Sequence, residues 1–236
     1  MTNTIDIGKF VSLRRQELGP GANEITENIE RASQSIHRWL QYCQYHYFNL
    51  VKSTEAVDLA MDRVSHYRRK GENVTVRYVY EANIIGFLNS LHALLDSFPY
   101  LLNLFIPKFM SSDSKSIRWG SDFVRKYSDC IFYDELRDFL TDQTFNMVKG
   151  YVNTSKHKHL IRIVNTFAKL DFEEFTYLQP VVEENDKISY LKITVPQQGA
   201  IEFVVNCHDA LIPKFFELCN RVISAKDVNS EKHYSK

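Results

Sequence analysis

The sequence predicts a mainly α-helical protein, a bundle of long helices with a small antiparallel β insertion before the C-terminal helix. Only 8 glycines and 6 prolines occur in 236 residues, fewer than a turn-rich β fold would use. Apolar residues recur at helical spacing through long stretches that contain neither residue type. A hydrophobic fraction of 44% and an aromatic fraction of 13% indicate a packed core rather than a disordered chain.

The first elements follow from breaks in this pattern. Residues 1–22 read as a polar leader that ends in a glycine–proline turn, and a long first helix is predicted from Asn23 to Leu50. A second helix is predicted from Ser53 to Arg69, and a later one from Tyr133 to Tyr151. The segment between them holds the third helix.

The third helix has the clearest apolar face. Its members follow i, i+4, i+7, i+11 and i+14: Ile84, Leu88, Leu91, Leu95 and Phe98. Pro99 and Pro107 should end or kink it. Although Ile84 to Met110 is the most apolar segment of the chain, polar residues and prolines interrupt it, so we predict a buried core helix and no membrane span.

The spacing of the apolar residues changes after this helical part. Between about residues 160 and 196, β-branched and aromatic runs separated by polar turns predict the antiparallel insertion. Helical spacing returns from Gly199 to Ala225, with a kink or break at Pro213. We therefore expect one domain over residues 23–226, followed by a disordered tail over residues 227–236.

Composition narrows the function classes. Lys and Arg number 29, as do Asp and Glu, so recognition of an anion would depend on a local cluster rather than an overall field. The cysteines are widely spaced without a CxxC pair, which predicts reduced thiols in a cytoplasmic protein and no metal site: Cys43, Cys130, Cys207 and Cys219. No secretory signal or cofactor-binding glycine motif occurs, so no cofactor is expected.

A polar stripe on the third helix is the first candidate site. Asn89, His92 and Asp96 are spaced i, i+3 and i+7 beside the apolar face, which aligns them along its edge. We assign them to ligand binding, because Asp96 can orient His92 or reach a cationic region on a neighbouring helix. The alternative is a buried polar bridge that sets the register of the helix.

The second candidate site lies at the end of a helix, before the β region. Asn153 and His157 are i and i+4, and a continuing helix would place Lys149 and Lys156 on the same face. An amide, an imidazole and two ammonium groups suit phosphate binding or RNA cleavage. Alternatively, Asn153 caps the helix and the basic residues complement its negative end in solvent.

The helices and the Asn153-x-x-x-His157 element resemble the HEPN (higher eukaryotes and prokaryotes nucleotide-binding) superfamily, whose active ribonucleases carry Arg-Asn-x-x-x-His. Val152 stands where that motif has arginine. The resemblance covers roughly residues 23–157. It implies a helical fold, a homodimer, and a role among microbial toxins, antiphage effectors or noncatalytic binding modules.

Three functions follow as hypotheses. The first is a HEPN-like binding or regulatory module that takes RNA or a nucleotide. The second is a metal-independent ribonuclease in which His157 transfers the proton, Asn153 orients the substrate, and Lys149 or Lys156 replaces the missing arginine. The third is an adaptor that binds a protein partner through an aromatic patch on the first helix: Trp39, Tyr42 and Tyr45.

Overall fold

The computed structural model describes residues 4–21, 23–55, 66–69, 72–109, 115–165, 170–183 and 187–233. The mainly α-helical class is confirmed. The helices in chain order are α1 Ile7–Leu18, α2 Asn23–Glu55, α3 Val76–Asp96, α4 Phe98–Phe105, α5 Ser121–Arg125, α6 Tyr133–Leu140, α7 Gln143–His157, α8 Ala200–Asn206 and α9 Ile212–His233. A 3-10 turn, Gly19–Gly21, precedes α2, and a π-helical turn, Cys207–Leu211, joins α8 to α9.

The strands form antiparallel pairs in three places. They are β1 His66–Arg69, β2 Glu72–Thr75, β3 Ile163–Asn165, β4 Leu170–Phe172, β5 Phe175–Val182, β6 Ile188–Val195 and β7 Gln198–Gly199. The predicted insertion is present, but as two sheets instead of one: β3-β4-β7, and a separate hairpin of β5 with β6. Leu178 pairs with Lys192, and Pro180 with Tyr190, in the hairpin.

The predicted second helix is wrong at both ends. Helix α2 continues to Glu55, and His66–Arg69 is strand β1, paired with Glu72–Thr75. Residues 56–65 lie outside the described residues. The helix start signal at Ser53 therefore does not predict the β1–β2 hairpin.

Helix α3 lies at the centre of the core, as predicted. The five residues of the predicted apolar face are completely buried, four on α3 and Phe98 at the start of α4, and α2 and α4 pack against α3. Pro99 lies in the first turn of α4, where proline costs no helical hydrogen bond, so it starts a new helix after Ser97. No helix in the described part of the chain is both long enough and apolar enough to cross a membrane.

The predicted helix from Tyr133 to Tyr151 is divided into α6 and α7. Asp142 is the reason: its Oδ1 accepts a hydrogen bond from the Phe145 backbone N–H at 2.9 Å, which caps α7. Its Oδ2 lies 2.5 Å from the Lys214 ammonium on α9. One carboxylate therefore starts α7 and ties it to the C-terminal helix.

Both predicted ends of the domain need correction. Residues 7–18 of the assumed leader form α1, where Phe10 and Val11 are buried and the Phe10 ring lies 4.2 Å from that of Phe105. At the other end, α9 continues to His233, so the assumed tail is helical over residues 227–233. Residues 1–3, 22 and 234–236 lie outside the described residues.

Pro213 does not break the C-terminal helix. It lies just after the π-helical turn, whose wider hydrogen-bond spacing accommodates a residue without an N–H. The helix therefore runs from Ala200 to His233 through three successive segments.

Candidate functional site

One face of α7 borders a groove. Lys149, Asn153 and His157 are spaced i, i+4 and i+8, and all three line a groove with a volume of about 660 Å³. The other lining residues come from α7 itself, the segment before α5, the end of α6 and the β5–β6 hairpin: Gly120, Leu140, Asn146, Gly150, Thr154, Lys158, Thr176, Tyr177, Leu178, Pro180, Tyr190 and Lys192. The structure thus brings together three of the predicted site residues.

Lys156 is exposed and is not among the residues that line the groove. It follows Lys149 by seven residues, which is about 20° around the helix, so it lies on the Lys149 side of α7 rather than on the His157 side. Its positive charge instead lowers the pKa of His92 on α3. Of the predicted cluster, Lys156 is the member that does not line the groove.

The capping interpretation of Asn153 is also wrong, because α7 continues for four more residues to His157. The last turn does carry Lys156 and His157, where positive charge complements the negative end of the helix. Val152 is 1% exposed and faces the core. The position that holds arginine in the HEPN motif therefore points away from the groove in this chain.

Lys149 connects the groove to the polar stripe on α3. It is half-buried, and its ammonium donates a hydrogen bond to the Trp119 carbonyl at 3.5 Å. Burial lowers the pKa of Lys149, Asp96 opposes that effect, and Arg118 adds to it. Because α3 and α7 pack together, Asp96 and Lys149 act on each other across the helix pair.

His92 is the buried member of the polar stripe. Its Nδ1 lies 3.4 Å from Asp96 Oδ2, and its Nε2 has no hydrogen-bond partner among the described residues. Burial lowers the pKa of His92, while Asp96 raises it and the two lysines, Lys156 and Lys149, lower it further. Asn89 is half-buried one turn earlier and is not among the described residues that line the groove.

The sequence did not identify the hairpin side of the groove. Leu178, Tyr190 and Lys192 are exposed on adjacent strands, and the register places Leu178 opposite Lys192. Leu178 lies between buried residues of β5, which predicts a two-faced strand, whereas Tyr190, Leu191 and Lys192 of β6 are all exposed. Which helix the hairpin packs against is a long-range property. Only the docking of β5 on α7 adds an aromatic ring and a further ammonium group to the site.

The aromatic residues of the adaptor hypothesis do not form one exposed patch. Tyr42 and Tyr45 are 50% and 64% exposed, whereas Trp39 is half-buried against the core. The Trp39 and Tyr42 rings meet edge to face at 5.5 Å. Association through this surface, like the homodimer, stays a prediction.

The described residues contain no cluster of three or more His, Cys, Asp or Glu side chains that could hold a metal ion. All four cysteines are free thiols. Comparison of the chain with protein-family models, curated proteins and solved structures found no match.

Proposed function

We propose that this protein binds a phosphate-bearing ligand, a nucleotide or RNA, in the groove beside α7. The observation that carries the proposal is the convergence of Lys149, Asn153 and His157 with Lys158 and Lys192 on one concave surface. Ammonium groups attract phosphate, an amide donates hydrogen bonds to its oxygens, and an imidazole can do the same.

The hairpin side of the groove favours a nucleotide over free phosphate. Tyr190 and Leu178 offer apolar surface next to Lys192, and Tyr190 and Lys192 are two residues apart on the same side of β6, about 7 Å along the strand. A nucleotide carries a planar base and a charged phosphate on opposite sides of its sugar. Both parts can therefore be bound within this groove.

We propose that the protein acts as a HEPN-like binding or regulatory module. The system in which it would act is a microbial toxin or phage-defence system. The buried Val152 supports binding rather than catalysis, because no arginine stands beside Asn153 to hold a scissile phosphate. Lys149 is the half-buried cation on the same helix face as Asn153 and His157, and we assign it the phosphate contact.

Titration of a fluorescein-labelled single-stranded RNA, with ATP as competitor, tests the proposal by fluorescence anisotropy. Lys149→Ala should lower affinity about tenfold or more, and Asn153→Ala by a few-fold, because each removes a hydrogen bond to the ligand. Lys156→Ala is the matched control, since it removes the same charge from the same helix outside the groove. Equal losses in the two lysine variants would contradict a site in the groove.

A metal-independent ribonuclease is the second candidate, favoured by the position of His157 in the same groove as Asn153 and Lys149. His157 would transfer the proton, Asn153 would orient the phosphate and Lys149 would stabilise its developing charge. Purified protein should then cleave total cellular RNA or tRNA in EDTA, and His157→Ala and Asn153→Ala should both lose this activity. Absence of cleavage by folded wild-type protein excludes this candidate and leaves the binding proposal intact.

A further inference from the structure

Asn146, on α7, is a buried amide that lines the groove. We propose that its Oδ1 accepts a hydrogen bond from the exocyclic amino group of a nucleobase, so that the groove selects a nucleotide of adenine, cytosine or guanine. The inference rests on the proposed function, because it names the chemistry that the base of the same ligand carries.

Two donated hydrogen bonds determine the orientation of the Asn146 side chain. Its Nδ2 lies 2.7 Å from the Leu140 carbonyl oxygen and 2.8 Å from the Asp142 carbonyl oxygen. Because a carbonyl oxygen only accepts, the amide atom that faces both of them is the NH2 group. The other amide atom, Oδ1, is therefore the acceptor, and the side chain is anchored where α6 gives way to α7.

The Oδ1 atom of Asn146 has no donor within the described part of the chain. Asn146 is 3% exposed, and its hydrogen bonds are those that Nδ2 donates. The described side-chain atoms that are both fully enclosed and unpaired do not include Oδ1, so this atom is accessible from the groove. An acceptor that stays unpaired when a ligand covers it costs free energy. A ligand that supplies a donor here therefore binds more tightly than one that does not.

The neighbouring side chains have no donor to offer it. Gln179 Nε2 donates to the Thr141 carbonyl at 2.7 Å and to the Pro180 carbonyl at 3.1 Å, which uses both of its N–H groups. The Tyr177 hydroxyl donates to Gln179 Oε1 at 3.1 Å. Since these donors are all paired, the donor for Asn146 has to come from the ligand.

This acceptor borders the part of the groove that suits a base. Thr141 lies between the two residues that anchor Asn146, and its carbonyl is bonded to Gln179. The next residue along β5, Pro180, pairs with Tyr190 in the hairpin. The Tyr190 ring and the Asn146 amide therefore lie at the same end of the groove. A base that stacks on an aromatic ring keeps the donors and acceptors of its edge free for hydrogen bonds.

Pairs of nucleotides that differ only in the amino group test the inference. ATP, CTP and GTP compete with labelled single-stranded RNA for the wild type, each beside the ribonucleotide that lacks the amino group: purine, pyrimidin-2-one and hypoxanthine. In at least one pair, the analogue should bind about fivefold to a hundredfold more weakly, because Oδ1 is left unpaired. The 2′-deoxy form of the preferred nucleotide should bind as tightly as the ribose form.

Asn146→Ala connects this discrimination to the residue. The variant also loses two hydrogen bonds to backbone carbonyls, so its stability should fall. The ratio of the two affinities within a pair is measured in one folded protein, and it should approach one in Asn146→Ala. Asn153→Ala is the control, because it should weaken both members of a pair equally and keep the ratio. Circular dichroism verifies that the variants are folded.

The outcomes separate the two proposals. A loss on removal of the amino group that disappears in Asn146→Ala supports the inference; if that variant does not fold, the wild-type pairs decide alone. Equal affinity within all three pairs, a loss that follows the 2′-hydroxyl instead, or a ratio that Asn146→Ala leaves unchanged overturns it, and the proposed function stands. Failure of the wild type to bind RNA or any of the nucleotides overturns both.

Discussion

Gly150 of α7 and Tyr177 of β5 meet so closely that a Cβ at position 150 would lie 2.4 Å from the Tyr177 Cβ. This approach brings the β5–β6 hairpin against α7. Gln179 reinforces it, because its side-chain amide donates to the Thr141 carbonyl, before α7, at 2.7 Å. The groove therefore exists because glycine occupies this position in the helix.

Gly150→Ala should lower the free energy of unfolding. Alanine favours a helix interior over glycine by about 1 kcal/mol. The clash opposes that gain, because two Cβ atoms can separate only by a shift of backbone, at a cost of about 1–3 kcal/mol. We expect a net loss of stability in urea unfolding and weaker RNA binding. Gly21→Ala is the control, since a Cβ there meets nothing within 4 Å and Gly21 does not line the groove. An equal loss in both variants would contradict the role of Gly150.

The buried His92 should make stability depend on pH. Because its pKa is lowered in the folded protein, the unfolded chain binds more protons as pH falls through about 6.5, the ordinary histidine value. The contribution of His92 to the free energy of unfolding is therefore complete above that pH and is lost as the pH falls below it. His92→Gln should flatten the decline in urea midpoint between about pH 7.5 and pH 5. An unchanged slope in this variant would show that His92 does not carry the dependence.

Asp142→Ala should destabilise the protein by about 1–2 kcal/mol, because it removes the N-cap of α7. Lys214→Ala separates the two roles of this carboxylate, since it removes only the ion pair and keeps the cap. That pair is partly solvated and should contribute less than about 1 kcal/mol. Chemical denaturation of both variants provides the comparison, and a larger loss for Lys214→Ala would reverse this ranking.

Tyr190 should contribute to binding of a base but not of phosphate alone. Stacking of a base on an aromatic ring contributes about 1–3 kcal/mol, so Tyr190→Ala should weaken RNA binding about fivefold to a hundredfold. Tyr190→Phe keeps the ring and should retain most of the affinity. An abasic oligonucleotide should bind the wild type and Tyr190→Ala equally well. If Tyr190→Ala weakens binding of the abasic oligonucleotide as much as binding of RNA, the ring acts on something other than the base.

The parts of the fold that sequence could predict are those with a local cause. The apolar face of α3 repeats at helical spacing, and the polar face of α7 follows from the i and i+4 relation of Asn153 to His157. Sequence alone does not predict helix α1, although Ile7, Phe10 and Val11 follow helical spacing, because the burial of Phe10 and Val11 depends on distant partners. The break at Asp142 was missed because a cap within a helical pattern is a single-residue signal.

The candidate site was predictable only on its helical side. Helical spacing places Lys156 near Lys149 on α7, but Lys156 does not line the groove and its charge acts on His92 of α3. Tyr190 and Lys192 were missed because hairpin docking joins residues about forty positions apart in the chain. Gly150 was the available signal, as an isolated glycine inside a helix indicates close approach of another element.

The most direct test of the central claim is photo-crosslinking of the protein to RNA that contains 4-thiouridine, with the attachment sites identified by mass spectrometry. The structure predicts crosslinks to Tyr190 and neighbouring residues of β5 and β6, and their loss in Lys149→Ala but not in Lys156→Ala. Crosslinks confined to surfaces away from the groove, or retained in Lys149→Ala, would contradict the assignment of this groove as the phosphate-binding site.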